Sequence, residues 1–170
     1  MKIALSGAHK VGKTTLAEDL LTQLPGYKLH KEPYYELEES GHIFSEIPGT
    51  DDFIKQFEHS VQQIQQSGNN TIFDRCPIDI LAYIHALEPN KNIASLFETA
   101  RIILSDIDLL VFVPIENPDI ISCQKSDLPK LRTKVNDIVE NWIYDLGIDV
   151  IEVNGELPHR LDQVLKKVKG

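Results

Sequence analysis

The sequence predicts a three-layer, doubly wound α/β domain on a parallel sheet, and three observations carry that prediction. Short apolar runs alternate with helical patterns five times along the chain, the order expected of strand–helix–strand crossovers. Leu109–Val113 is apolar throughout rather than alternating, although the short run Tyr27–Lys31 alternates, and continuous apolar strands fit a parallel sheet covered on both faces. The first run ends on Gly7-Ala8-His9-Lys10-Val11-Gly12-Lys13-Thr14-Thr15, a glycine-bounded loop that opens straight into a helical pattern.

The elements follow in order. Lys2–Ser6 reads as the first strand and Lys13–Leu24 as the first helix, stopped by Pro25-Gly26. Tyr27–Lys31 is a short second strand ending at Glu32-Pro33, and residues 34–50 are irregular around a short helix at 34–40. A long helix begins near Thr50, with Phe53, Phe57, Val61 and Ile64 at helical spacing, and stops at Ser67-Gly68. Thr71–Asp74 is a buried strand, and Pro77 opens a helix towards Leu87. Ile93–Leu104 is a helix, Leu109–Val113 the fourth strand and residues 114–127 a loop. Leu128, Leu131, Val135, Ile138 and Trp142 mark a helix ending near Gly147, with Trp142 on its apolar face. Asp149–Val153 is the fifth strand, and Leu157–Val168 closes the chain as a helix.

At 170 residues, with 42% hydrophobic and 25% charged residues, the chain fits one domain spanning residues 1–170. No Pro/Gly/Ser linker or repeat divides it. Its apolar stretches are far too short to span a membrane, and with the first strand predicted from Lys2 no signal peptide is expected. Cys76 and Cys123 lie far apart without metal-type spacing, so neither a disulfide nor a structural metal site is expected. These features predict a cytoplasmic protein without a membrane partner, its oligomeric state open to a homodimer. The net charge of −9 argues against nucleic acid as a partner. Lysines nevertheless gather around the glycine-bounded loop, and acids over residues 32–60.

The loop spacing is G-x-x-x-x-G-K-T, the phosphate-binding loop of nucleotide enzymes. Gly7 and Gly12 permit backbone conformations closed to other residues, so successive N–H groups, including those of Ala8, His9, Lys10 and Val11, can turn around a phosphate. The following helix aims its positive end at the same anion. Lys13 is placed to reach the β- and γ-phosphates, Thr14 to offer a hydroxyl to Mg²⁺, and Thr15 to hold the α-phosphate. Within this loop the His9 backbone is expected to matter more than its imidazole.

In a parallel sheet the other strand ends face the same edge. Asp74 either supplies the second carboxylate of the Mg²⁺ site or caps the helix entered at Pro77. Arg75 either clamps an acceptor through its planar fork or makes a surface salt bridge. Glu32 either accepts a proton from an acceptor hydroxyl or belongs to the acidic stretch after it. Arg132, with Lys125, Lys130 and Lys134 nearby, either stabilises a transferring phosphoryl group, stacks on adenine or is an exposed helix residue. After the fourth strand stands Pro114-Ile115-Glu116-Asn117 rather than a guanine-reading N-K-x-D segment, which favours ATP.

Together, the phosphate loop, Glu32-Pro33, Ile72-Phe73-Asp74-Arg75 and the strand–lid–helix order resemble the nucleoside and nucleotide kinase branch of phosphate-loop proteins. The two pairs look like those of deoxynucleoside and thymidylate kinases. The fuller pattern, with the tail Asp145–Val153, is closer to the nicotinamide-riboside-kinase-like domain of NAD-biosynthesis regulators and the small AAA-type ATPases grouped with it. The resemblance implies a five-stranded parallel sheet in the order 2-3-1-4-5, ATP with Mg²⁺, and a mobile lid over residues 114–134. It places Lys13 and Thr14 at the phosphates and metal, Asp74 as the second acid, and Glu32 and Arg75 on the side of a nucleoside-like acceptor. The lid departs from the pattern: active kinases of this branch often carry several arginines there, and this chain has Arg132 alone. An ATPase or nucleotide-dependent switch without a small-molecule acceptor is therefore the competing reading.

Overall fold

Five parallel strands form one sheet in the order β2-β3-β1-β4-β5 in the computed structural model, which describes residues 1–121 and 123–170. The strands are β1 (Lys2–Ser6), β2 (Lys28–His30), β3 (Thr71–Asp74), β4 (Leu109–Phe112) and β5 (Val150–Glu152). The helices are α1 (Lys13–Gln23), α2 (Pro33–Glu39), α3 (Thr50–Gln66), α4 (Pro77–Leu87), α5 (Ala94–Leu104), α6 (Pro129–Ile143) and α7 (Leu157–Lys169). The connection from β1 to β2 runs one way along the sheet, while those to β3, β4 and β5 run the other way. Right-handed crossovers therefore put α1 on one face and α3, α4 and α6 on the opposite face. Contacts agree: α1 packs on α7, and α4 packs on α3, α5 and α6.

Burial explains where sequence and structure agree best. The three central strands carry Ile3, Leu5, Ile72, Phe73, Leu110 and Phe112, all 1% exposed or less, as expected for strands covered on both sides. Truncating Phe112 to alanine would cost about 3–5 kcal/mol on that ground. α4 is apolar on nearly every side because α3, α5 and α6 all pack against it. The edge strands β2 and β5 shrink to three residues each, since a strand paired on one side only has less holding its ends. α6 stops at Ile143, and a 3₁₀ turn over Tyr144–Leu146 carries the chain to Gly147. Trp142 packs at the core margin between His85 and Phe97.

The register brings the functional ends together. Leu5 pairs with Asp74 and Ser6 with Phe112, while His30 lies opposite Phe73. The segments after β1, β2, β3 and β4 therefore all leave from the same edge of the sheet. The segment after β4 includes a 3₁₀ turn at Lys125–Asp127 before α6 begins. Both cysteines are free: Cys76 is buried at the start of α4, and Cys123 is half-buried in the segment after β4. Among the described residues, no helix is long and apolar enough to cross a membrane.

Candidate active site

The phosphate loop is shaped by steric necessity at one end. A Cβ on Gly7 (φ +141°) would sit 2.3 Å from the carbonyl oxygen of Val113, just past β4, so only glycine lets β1 turn there. Gly12 (φ +91°) begins α1. Among the described residues, the N–H groups of Lys10 through Thr15 have no hydrogen-bond acceptor. They form the donor set that a polyphosphate requires. Lys13 is buried with Nζ 2.5 Å from the Ala8 carbonyl oxygen. Burial, followed by the charge of Arg75, pulls its pKa down to about 8.

Two loop N–H groups are held from α4 instead. Asp79, fully buried, accepts from Gly7 N at 2.9 Å, from Cys76 N at 3.0 Å and from the Ser6 hydroxyl. His9 N donates to Tyr83 Oη at 2.8 Å. The His9 imidazole is engaged as well, although its backbone was expected to matter more. Its Nδ1 lies 2.6 Å from Tyr83 Oη and its Nε2 2.5 Å from the Asp127 carbonyl oxygen. Burial lowers its pKa, opposed by the Asp127 contact. A neutral ring facing a carbonyl must donate from Nε2, so Nδ1 accepts the Tyr83 proton. His9 thus ties the phosphate loop to α4 and to the turn before α6.

Asp74 ends β3 at 3% exposure, and its Oδ1 has no hydrogen-bond partner among the described residues. Burial raises its pKa, against a hydrogen bond from the Thr14 hydroxyl and the charge of Lys13. Asp74 is not the helix cap: Cys76 holds that position, and Asp79 at the third helical residue accepts its N–H. An unpartnered carboxylate oxygen beside a hydroxyl is hard-oxygen chemistry, and it fits Mg²⁺. Among the described residues, no cluster of three His, Cys, Asp or Glu side chains could hold a metal without further ligands.

Glu32 and Arg75 meet across the end of the sheet. Arg75 Nε lies 2.6 Å from Glu32 Oε1, with side chains 6% and 20% exposed. The Nε–H does not point along this contact, so the pair is ionic rather than a well-aligned hydrogen bond. Burial opposes the Arg75 charge, but Glu32, then Tyr83 and Asp79, hold its pKa above the ordinary value. The guanidinium also stands 5.2 Å over the Tyr83 ring, and the Arg75 backbone has φ 89°. The surface salt bridge weighed from sequence is therefore a buried one. Both residues line a cavity of about 710 Å³ walled by Phe53, Phe44, Tyr34 and Leu131. Phe53 stacks on Tyr83, and Tyr34 on Phe44, giving flat apolar walls.

Arg132 is neither exposed nor open to this cavity. It is 4% exposed, and its Nε and Nη2 donate to the carbonyls of His9 (2.9 Å) and Lys10 (2.8 Å). Its Nη1 pairs with Asp119 at 2.5 Å. Arg160 of α7, unnoticed in the sequence, does likewise: Nη1 donates to Val11 O at 2.6 Å, and Nη2 pairs with Glu116 at 2.7 Å. The sequence carried a usable signal for Asp79, a lone acid in the apolar run Ile78–Ala82. It carried none for Arg160, which is 149 residues from its loop partner.

The parallel sheet in this order, with a phosphate loop after β1, Glu32 just past β2 and Asp74 ending β3, defines a phosphate-loop protein of the nucleoside and nucleotide kinase fold. A family model described as an AAA domain matches residues 2–160, and the chain belongs to that family. Deoxyadenosine kinase from M. mycoides with bound dATP is similar over 100% of both chains, with TM-score 0.68 and 16% identity. Thymidylate kinase from Candida albicans gives TM-score 0.66 at 18% identity, over 99% of this chain and 90% of that one. NadR protein in complex with NAD and AMP-PNP gives 0.72 at 18%, over 99% of this chain and 49% of that one. No curated protein matches the sequence.

Proposed function

We propose that this protein is an ATP-dependent kinase that moves the γ-phosphate to a hydroxyl or phosphate of a nucleoside- or nucleotide-like small molecule. The observation that carries this reading is the adjacency of two half-sites. His9 belongs to the phosphate loop and also lines the cavity that Glu32 and Arg75 line. Simple hydrolysis would have no use for an aromatic-walled cavity beside the loop. The kinase likeness of the solved structures supports the same reading.

In this scheme the N–H groups of residues 10–15 and Lys13 bind and orient the donor phosphates. Thr14 and Asp74 would hold Mg²⁺, which when bound would neutralise charge on the phosphate oxygens. Glu32 Oε1 faces Arg75, leaving Oε2 to accept a hydrogen bond from the acceptor hydroxyl and then its proton. Arg75 holds that carboxylate in place. The flat walls exclude water and sandwich a ring.

The test is a screen of nucleosides, nucleotides and nicotinamide riboside with labelled ATP. Acceptor-dependent ADP formation is expected for at least one compound. Slow ADP release, equal with and without every acceptor, overturns the kinase reading. One observation favours that second outcome: Arg132 is bound to loop carbonyls and Asp119 rather than turned towards the cavity.

A further inference from the structure

Four consecutive carbonyls of the phosphate loop face cationic N–H groups. Lys13 Nζ takes that of Ala8, Arg132 those of His9 and Lys10, and Arg160 that of Val11. The two arginines come from different helices, α6 and α7, and both are 4% exposed or less. Each is in turn held by an acid from the stretch just after β4, Asp119 for Arg132 and Glu116 for Arg160. Glu116 Oε1 also accepts from Gly155 N at 2.8 Å, and Arg160 Nε donates to Gly155 O at 2.7 Å, so the second guanidinium is fixed on three sides.

We propose that Arg132 and Arg160 form a collar that sets the phosphate loop, with Asp119 and Glu116 as the residues that aim it. Here both arginines are positioning residues for the donor polyphosphate, and neither touches it. A peptide plane carries its C=O and the next N–H on opposite sides. Drawing the carbonyls of residues 9, 10 and 11 outward therefore turns the N–H groups of residues 10, 11 and 12 inward. Those are among the N–H groups without acceptors in the described structure. A loop held this way meets a phosphate without reorganising, which is the usual source of strong anion recognition by backbone.

The collar also gives the one arginine of the lid a task. Its one guanidinium has two carbonyls and a carboxylate to hold, a planar forked task that an ammonium performs badly. Because both acids lie in the stretch after β4, the loop geometry depends on that stretch being in place.

The test uses the full chain and Mg²⁺-tripolyphosphate, which probes the loop without a base or an acceptor. The proposal rests on the donor-site reading above, and the experiment separates the two. Asp119→Ala removes a negative charge near the anion, so a role through the electric field alone predicts tighter binding. The collar predicts the reverse, about tenfold weaker binding, from loss of one charge-assisted contact. Arg132→Lys keeps the charge but not the fork and is expected to bind comparably weakly. The Asp119 side chain is 32% exposed and Arg132 keeps two carbonyl acceptors without it, so this variant is expected to fold even if variants at the buried arginines do not. A second readout reports geometry directly. The downfield shift of the Lys10 and Val11 amide protons on saturation with tripolyphosphate is expected to shrink in Asp119→Ala, while the β1 and β3 resonances stay fixed. Unchanged or tighter binding by Asp119→Ala, or wild-type affinity in Arg132→Lys, overturns the collar and leaves the donor site standing. Failure of the wild-type chain to bind tripolyphosphate overturns the donor site itself.

Discussion

Replacing Glu32 by glutamine removes the charge that accompanies Arg75 into the protein. The volume barely changes, so the effect isolates the ion. Breaking one partner out of a buried pair costs about 3–5 kcal/mol when the remaining charge is stranded. Two features reduce that here. Glu32 is 20% exposed, and Arg75 keeps the Tyr83 ring at 5.2 Å, a contact worth about 1 kcal/mol. The expected loss is therefore about 2–3 kcal/mol, or a fall in Tm of about 4–12 °C for a chain of this size. Thermal unfolding followed by circular dichroism reads it. The double variant Glu32→Gln/Arg75→Met, which removes the stranded charge as well, should regain most of the loss. Both variants should bind ATP with wild-type affinity and lose acceptor-dependent turnover. A Glu32→Gln protein that unfolds within about 1 °C of wild type would refute the account of Glu32 as the counter-charge that keeps Arg75 buried. Loss of ATP affinity would move Glu32 off the acceptor side.

Two further outcomes follow from the loop. Lys13, lowered to about 8 by burial and Arg75, must be protonated to meet a phosphate, so Mg·ATP affinity should be level below that pH and fall above it. Binding above pH 8 then takes up a proton, visible as a buffer-dependent enthalpy in calorimetry, and Lys13→Arg should flatten the profile. A wild-type affinity that stays constant well above pH 8 counts against this role. Gly7→Ala places a methyl group 2.3 Å from the Val113 carbonyl, whereas Gly26→Ala, also at positive φ, meets nothing within 4 Å. Gly26→Ala should cost about 1–2 kcal/mol of backbone strain, and Gly7→Ala more than this, together with its nucleotide affinity. Equal stability losses in the two variants would remove the steric argument for Gly7.

The sequence made the sheet readable because burial on both faces writes itself as unbroken apolar runs, and β4 is such a run. The phosphate loop was readable because its chemistry is local: the glycines, Lys13 and Thr14 lie within eight residues. Glu32, Asp74 and Arg75 could be singled out because each stands at a strand end, where parallel topology fixes the direction. What stayed hidden is non-local or inverted in sense. Arg132 was noticed for its charge, but its partners, the carbonyls of His9 and Lys10, have no side-chain signature. The His9 imidazole was set aside because nothing in its neighbourhood says that Tyr83 and Asp127 will close on it. Edge strands were overestimated because alternation in Tyr27–Lys31 continues past the point where pairing with β3 ends.

The two thiols make this molecule unusually convenient to watch. Cys76 is sealed at the start of α4, with burial raising its pKa well above the ordinary value, so it is inert to thiol reagents while the fold is closed. Cys123 is half-buried, with Sγ 3.8 Å from the Asp127 carbonyl oxygen that also receives His9. A maleimide dye added to the native wild-type chain therefore marks a single position, between the stretch that aims the arginines and the turn that borders the cavity. Its emission reports local rearrangement there as nucleotide or acceptor binds, with no cysteine introduced or removed. Slow labelling of Cys76 serves as an internal clock for opening of the core.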